Sequence, residues 1–242
     1  MTTIETPARL YFRQLLSGRD FALDDPIARQ MVNFAYLVGD RESGEALIVD
    51  PAYAVSELLD VLAADSMRCV GVLATHYHAD HVGGSLGSWA IEGVADLLEL
   101  VDVPIHLQRA EVPWVTRTTG VEAGQLVAHD GSDIVSVGAI DVELVHTPGH
   151  TPGSQCFLVA NRLVSGDTLF LDGCGRTDLP GSDSAAMYES LTTRLARVPD
   201  DTVLYPGHAY SPEPSAPMGE VRRENFVFTP RSVEDWLAMF GR

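Results

Sequence analysis

The chain has 242 residues, a length that fits one fairly large domain, and 45% of them are apolar, enough to build a buried core. Lys and Arg number 16 against 34 Asp and Glu, which gives a formal net charge of -18. Such a charge repels phosphate backbones and anionic lipid, so we expect neither nucleic acid nor a membrane as a partner. We expect residues 1–242 to form a single domain.

The cellular compartment is predicted from what the chain lacks. No apolar run approaches the roughly 20 residues of a membrane-spanning helix, and residues 1–25 contain no apolar segment typical of a signal peptide. Cys69, Cys156 and Cys174 form no CxxC pair and are odd in number, which favours reduced thiols. These features predict a cytoplasmic location.

Short apolar segments separated by Gly, Pro and Asp predict an α/β fold. The first predicted elements are two strands, a helix with apolar residues at helical spacing, and a strand buried on both faces, at Phe34–Val38, Ala46–Val49, Val55–Ala64 and Cys69–Ala74. The stretch 89–130 is the least regular part and is interpreted as a surface excursion or an ordinary connection. Later strands are expected at Ile105–Leu107, Ile134–Val137, Ile140–Val145, Gln155–Val159, Arg162–Ser165 and Thr202–Tyr205, and helices at Ala185–Arg197 and Ser232–Met239. This order predicts sheets packed face to face with helices outside.

Four side chains able to bind metal directly follow the buried strand, in the HxHxDH segment at residues 76–81. In an extended chain, side chains two residues apart face the same way, so His76, His78 and Asp80 can converge. A turn then brings His81 beside Asp80. This density of potential ligands is far higher than packing requires, and it predicts a metal site.

Three further candidate ligands each follow an apolar strand and are directly preceded by glycine. They are His150, Asp167 and His208. Glycine permits close approach of the backbone, so a ligand can be aimed from the end of a strand. The repetition of this design predicts that the three residues join the same metal site.

The seven candidates divide into two sets and a bridge. The first set is His76, His78 and His150, the second is Asp80, His81 and His208, and Asp167 can bridge the two. Three neutral imidazoles suit zinc, and a carboxylate can bridge ions about 3.5–4 Å apart. Bound metal lowers the pKa of water toward about 7, so hydroxide is available without a Ser or Cys nucleophile. We therefore expect two divalent ions, zinc by preference and iron as the alternative.

The HxHxDH segment with its later Gly-His, Gly-Asp and Pro-Gly-His ligands resembles the metallo-β-lactamase superfamily, from Asn33 to about Phe228. The resemblance implies an αββα sandwich of two mixed sheets flanked by helices, with the ligands on loops at one edge. It also implies that Asp80 is catalytic, because it both binds metal and orients the hydroxide. Asp50 resembles an aspartate that supports the histidine loop from behind; a simple turn residue is the alternative.

Within the superfamily, the chain is most similar to the glyoxalase II (hydroxyacylglutathione hydrolase) branch. The segments Leu179–Asp183 and Tyr205–Tyr210 resemble that group, including zinc hydrolases found with polyketide synthases. Asp167 stands where class B β-lactamases commonly use cysteine, and His78 stands where flavodiiron proteins use glutamate, which disfavours both. The resemblance implies hydrolysis of a small-molecule or carrier-bound thioester, or of an ester, by a metal-bridging hydroxide.

A second branch remains open. The segments Gly173–Asp178 and Tyr36–Ser43 resemble persulfide dioxygenases, which use a single Fe(II) to oxidise glutathione persulfide. The equivalent ligands here are His76, His150 and Asp167, the two-His, one-carboxylate set of non-haem iron. Dioxygenases keep all seven ligands, so counting ligands does not separate the branches. A nuclease or a non-catalytic metal-binding protein is a weaker alternative, because no basic face is visible and no ligand is missing.

Substrate contacts are less well defined by the sequence. Arg176, Tyr210 and Cys174 can each reach a substrate, although each also has a structural interpretation. The helical C-terminal domain with which long glyoxalase II enzymes hold glutathione is not recognisable, which argues against glutathione specificity. The remaining histidines, His106, His129 and His146, are predicted to lie outside the metal site.

Overall fold

Two six-stranded sheets and a short hairpin account for the strands of the computed structural model, which describes residues 9–241. In chain order the strands are β1 (Leu10–Leu16), β2 (Phe34–Asp40), β3 (Glu45–Val49), β4 (Arg68–Leu73), β5 (Gly84–Leu86), β6 (Trp89–Ile91), β7 (Ile105–Gln108), β8 (Leu126–His129), β9 (Ile134–Val137), β10 (Ile140–His146), β11 (Gln155–Val159), β12 (Arg162–Gly166), β13 (Val203–Pro206) and β14 (Ala216–Pro217). The first sheet has the order β1-β2-β3-β4-β7-β8, and the second has the order β14-β13-β12-β11-β10-β9. Both sheets contain parallel and antiparallel pairs.

The helices are short and lie between and after the strands. They are α1 (Pro26–Met31), α2 (Val55–Ala64), α3 (Ala79–Val82), α4 (Val94–Leu100), α5 (Val112–Thr119), α6 (Ser184–Glu189), α7 (Met218–Glu224) and α8 (Val233–Phe240). A π turn at Ser190–Arg194 and a 3-10 turn at Leu195–Arg197 continue α6. No helix among the described residues is long and apolar enough to cross a membrane.

Three apolar clusters define the layers. The cluster between the sheets contains side chains of both, such as Tyr36 and Leu73 from the first and Leu144 and Phe157 from the second. Another cluster packs α2 and α4 on the outer face of the first sheet, and the third packs α6 and α8 on the outer face of the second. The predicted αββα sandwich of mixed sheets is therefore confirmed.

Most predicted elements occur within a residue or two of their expected bounds, and α2 matches Val55–Ala64 at both ends. The stretch 89–130 is more regular than expected, because besides the predicted strand β7 it contains α4, α5 and β8, and β7 and β8 extend the first sheet. Each of these elements has only four to eight residues, too few to show a clear periodicity. Strand β1 and helix α1 were not anticipated.

Candidate metal centre

The seven predicted ligands meet where strands of both sheets end. His76 and His78 follow β4, and the short helix α3 carries Asp80 and His81. From the second sheet, His150 follows β10, Asp167 follows β12 and His208 follows β13. The side chains form three overlapping groups in which the ligand atoms lie within 4.8 Å of one another. Both sheets are thus needed to assemble the site.

The first set brings together three imidazole nitrogens. His78 Nδ1 lies 3.1 Å from His76 Nε2 and 3.0 Å from His150 Nε2. All three side chains are buried or partly buried. Nitrogens that converge on one point in this way form a site suited to zinc, with a position left for water or substrate.

The second set combines one carboxylate with two imidazoles. Asp80 Oδ2 lies 3.4 Å from His208 Nε2 and 3.6 Å from His81 Nε2, and the two imidazole nitrogens are 3.3 Å apart. All three residues are buried. The structure therefore brings the candidate ligands together in the same two sets that the sequence predicted.

Asp167 lies between the two sets. Its Oδ2 is 3.7 Å from His150 Nε2 and 3.4 Å from His208 Nε2, while its Oδ1 is 3.4 Å from His81 Nε2. Asp167 Oδ1 is buried and accepts no hydrogen bond from any described residue. Because a buried carboxylate oxygen normally has a partner, this orphaned atom fits a metal ligand.

The protein fixes the protons of the imidazoles from outside the site. The Nδ1–H of His150 donates to the carbonyl of Arg176 at 2.7 Å, that of His208 to the carbonyl of Met31 at 2.8 Å, and that of His81 to Asp50 Oδ2 at 2.8 Å. With Nδ1 protonated, Nε2 keeps its lone pair for a metal. The tautomer that metal binding requires is therefore built into the fold.

Electrostatics favour the metal-binding forms of the first set and of Asp167, whereas in the second set the neighbouring carboxylates outweigh burial and raise the pKa values of His81 and His208. Burial, with repulsion from His150, lowers the pKa of His78 to about 4, and burial beside other imidazoles lowers the pKa of His76 well below its usual value. Burial alone would raise the pKa of Asp167, but His208 and His81 outweigh it and hold the pKa well below its ordinary range. Neutral imidazoles and an ionised carboxylate are the forms that bind metal.

Asp50 lies behind the histidine loop, where the sequence resemblance placed it. Its Oδ1 accepts the backbone N–H of Thr75 at 2.7 Å, and its Oδ2 accepts the Thr75 hydroxyl at 2.6 Å as well as His81 Nδ1. The Thr75 oxygen in turn lies 2.9 Å from His76 Nδ1. One carboxylate thus orients a histidine of each metal set.

Two buried polar residues beside the site were not singled out in the sequence. Asn33 donates to Asp80 Oδ2 at 3.1 Å, and its own amide oxygen accepts the Tyr53 hydroxyl at 3.0 Å. Asn33 directly precedes the apolar run of β2 and pairs with His208 in an isolated β-bridge, so its position at a strand start was the available signal.

Glu111 is the second residue that the sequence reasoning missed. Its buried Oε1 accepts the Thr151 hydroxyl and the Gly153 backbone N–H, each at 2.7 Å. The backbone N–H of Tyr77 lies near the carboxylate, while Oε2 accepts no hydrogen bond from the described residues. Burial raises the pKa of Glu111 to about 7. This carboxylate ties the loop that carries His76 and His78 to the loop that carries His150.

The glycines before the ligands act as the sequence predicted. A Cβ on Gly207 would lie 2.4 Å from Asp167 Oδ1, and a Cβ on Gly166, where φ is +49°, would lie 2.7 Å from Thr75 Cβ. Any larger residue would push the ligand loops apart. The close approach of the two sheets at the site therefore depends on glycine.

A cavity of about 670 Å³ opens over the ligands and contains all three predicted substrate contacts on its walls. Tyr210 is 58% exposed and stacks on His208 with ring centroids 4.6 Å apart. Arg176 is exposed and forms an ion pair with Asp178. Burial raises the pKa of the Cys174 thiol to about 12, so this cysteine stays protonated. Their contact with substrate remains a prediction.

The three histidines expected to lie outside the site belong to none of the metal-binding groups among residues 9–241. His106 Nδ1 lies 2.9 Å from His129 Nε2, His129 Nδ1 lies 3.0 Å from Asp133, and His146 Nε2 lies 3.1 Å from the Pro152 carbonyl. His106, His129 and Asp133 therefore form a polar cluster of their own, and His146 contacts a different segment.

We predict that His106→Ala and His129→Ala keep the full metal content, because neither side chain reaches the ligand sets. His76→Ala, which removes a nitrogen of the first set, should lose about one ion per chain. Elemental analysis after dialysis measures this directly. A loss of metal from the His129 variant equal to that from the His76 variant would place the site elsewhere.

Comparisons with known proteins agree with this geometry. The family model described as the metallo-beta-lactamase superfamily matches residues 29–208. The crystal structure of ETHE1 from Myxococcus xanthus superimposes with a TM-score of 0.76 at 27% identity, covering 96% of this chain and 90% of that one. The match to the family model spans all seven ligands.

Related sequences represent both branches considered above. A probable polyketide biosynthesis zinc-dependent hydrolase, BaeB, of Bacillus velezensis is 28% identical over 87% of this chain and 88% of its own length. A hydroxyacylglutathione hydrolase of a Polaromonas species is 36% identical over 74% of this chain and 62% of its own. The human mitochondrial persulfide dioxygenase ETHE1 is 30% identical over 95% and 86%. The resemblance to these groups is confirmed.

Proposed function

The chain belongs to the metallo-beta-lactamase superfamily, and from that membership we propose that it is a metal-dependent hydrolase that cleaves a thioester or an ester. The observation that carries the proposal is the complete pair of ligand sets, with Asp167 between them at the floor of a cavity. A site of this kind needs no Ser or Cys nucleophile. The partly buried thiol of Cys174, whose pKa is raised by burial, is consistent with that chemistry.

Each of the two ligand sets has its own proposed metal ion. His76, His78 and His150 would hold one divalent ion, and Asp80, His81 and His208 would hold the other, with Asp167 shared. Zinc is the proposed metal, because imidazole nitrogens and carboxylate oxygens are its usual ligands. Two such ions would polarise the substrate carbonyl and make hydroxide available near neutral pH.

Asp80 is the proposed catalytic residue. Its Oδ2 is held by Asn33 and lies between His81 and His208, and the residue lines the cavity. A carboxylate fixed through one oxygen can use the other to orient the attacking water and accept its proton. Asp80 therefore contributes both to metal binding and to proton transfer.

A persulfide dioxygenase is the second candidate function. The observation that favours it is the match to human ETHE1, which covers nearly the whole chain. In that case one iron would bind at His76, His150 and Asp167, a two-His, one-carboxylate set with open positions for oxygen chemistry. The two candidates therefore differ in the identity and number of the metal ions.

Metal analysis combined with turnover tests the proposed function. We expect protein purified without chelators and under low oxygen to contain about two ions per chain, mostly zinc. It should hydrolyse an S-acyl thioester, and a chelator should abolish turnover until zinc is restored. About one iron per chain, with oxygen uptake on glutathione persulfide and no thioester hydrolysis, would favour the dioxygenase instead.

A further inference from the structure

The walls of the cavity carry almost no positive charge. Arg176 is the one Lys or Arg among the described residues that line the cavity. Its Nε and one terminal nitrogen each donate to Asp178 at 2.9 Å, in a two-point ion pair. The mutual attraction raises the pKa of Arg176 and lowers the pKa of Asp178. The positive charge of Arg176 is therefore already matched within the protein.

The other charges near the cavity do not favour an anion. Asp172 also lines the cavity and is exposed. Arg117, next to the cavity-lining Thr118, has its guanidinium over the ring of Trp114 at 5.1 Å. The whole chain carries a formal charge of -18. Two divalent ions bound at the floor would add positive charge where the scissile carbonyl lies, so charge repulsion would act at the outer walls, which the leaving arm contacts. On those walls, a group with several negative charges would meet a negative field and find no cation among the described residues that lacks a carboxylate partner.

Away from the ligands, most of the wall is apolar. Met31, Leu86, Phe170 and Leu179 line the cavity, together with the aromatic face of Tyr210. Apolar walls stabilise apolar or uncharged groups, because contact with them removes such groups from water without leaving a charge unpaired. The apolar wall and the lack of an unpaired Lys or Arg among the described lining residues therefore both favour an uncharged substrate group.

We propose that the leaving arm of the substrate is an uncharged thiol or alcohol, and that thiols bearing carboxylates or phosphates, such as glutathione or coenzyme A, are discriminated against. This inference rests on the proposed hydrolase function, since it concerns the part of the substrate released on cleavage. A charged thiol is disfavoured because the negative charge of the protein repels it and because its carboxylates find no cationic partner on the described cavity walls. The size of the thiol is not the basis of the discrimination.

The test compares ligands that differ in charge but little in size. N-Acetyl-S-methylglutathione, which carries two carboxylates, and its uncharged bis(methylamide) are titrated into the zinc-loaded protein by calorimetry, and N,S-diacetylglutathione and its bis(methylamide) serve as substrates. We expect the uncharged diamide forms to bind about tenfold more tightly and to show a kcat/KM about tenfold higher, mainly through KM. High salt should narrow the difference, because it screens charge repulsion.

A charge variant tests the role of the ion pair. Asp178→Asn should free Arg176, so that N-acetyl-S-methylglutathione binds about threefold more tightly while the affinity of its uncharged diamide is unchanged. Asp201→Asn removes the same charge from an exposed turn before β13 and should change neither affinity.

The outcomes separate the inference from the function on which it rests. Equal or tighter binding of the acid form in the unmodified protein would overturn the inference, whatever the turnover. Hydrolysis of neither thioester, with the diamide still bound more tightly, would overturn the hydrolase function and support discrimination against negatively charged ligands.

Discussion

Replacing Asp80 with alanine will lower thioester turnover by a factor of about 10²–10⁴ while the protein stays folded. Asp80 contributes to no apolar cluster, and its polar contacts are with Asn33 and the neighbouring ligands His81 and His208. Its loss therefore removes a proposed metal ligand and proton acceptor without removing a part of the core. The measurement is kcat at saturating zinc, with circular dichroism and Tm as checks on the fold.

The matched control for this experiment is Asp60→Ala, which removes a carboxylate from the exposed side of α2. That variant should keep the original turnover. Asp80→Asn, which retains one oxygen ligand but cannot accept a proton, should be impaired nearly as much as Asp80→Ala. An Asp80→Ala variant with undiminished turnover would remove Asp80 from the mechanism.

Replacing Asp50 with asparagine will weaken zinc binding about 10–100-fold. Asp50 is buried and accepts hydrogen bonds from Thr75 and His81. Its φ is +52°, a conformation that asparagine tolerates better than most residues, so the backbone should persist. The loss then comes from removing the negative charge that orients His81 and, through Thr75, His76. Competition with a chromophoric chelator measures zinc affinity directly.

Asp60→Asn makes the same chemical change on the protein surface and should leave zinc affinity unchanged. Weaker zinc binding without a comparable fall in Tm of the metal-free protein would identify Asp50 as a residue that positions the ligands. Unchanged zinc affinity would assign Asp50 to the turn after β3 alone, which was the alternative interpretation of this residue.

The metal site could be predicted because its candidate ligands form recognisable patterns over short stretches of the sequence. His76, His78, Asp80 and His81 lie in one short segment, and the three later ligands each follow a strand and a glycine. Such patterns depend on chain geometry over a few residues. The alternation of strands and helices likewise sufficed for the layers of the fold.

The parts that were missed depend on contacts between distant segments. Glu111 lies between the loops around Tyr77 and Thr151, and each of these residues is more than thirty positions away from it in the sequence. Its role therefore depends on contacts that form only in the folded chain. Asn33 acquires its role through a contact with Asp80, 47 residues later. A single buried Glu carries no periodicity, and the position of Asn33 at the start of a strand does not by itself reveal a contact with Asp80.

The assembly of the site from two sheets has a consequence for how the protein acquires its metal. Residues 10–129 supply the first sheet and residues 134–217 the second, and each ligand set takes two side chains from the first half and one from the second. A nascent chain that has emerged only as far as β8 therefore offers no complete set. We therefore expect ions to bind only after the halves have docked, and bound ions would then act as reversible cross-links that oppose separation of the halves.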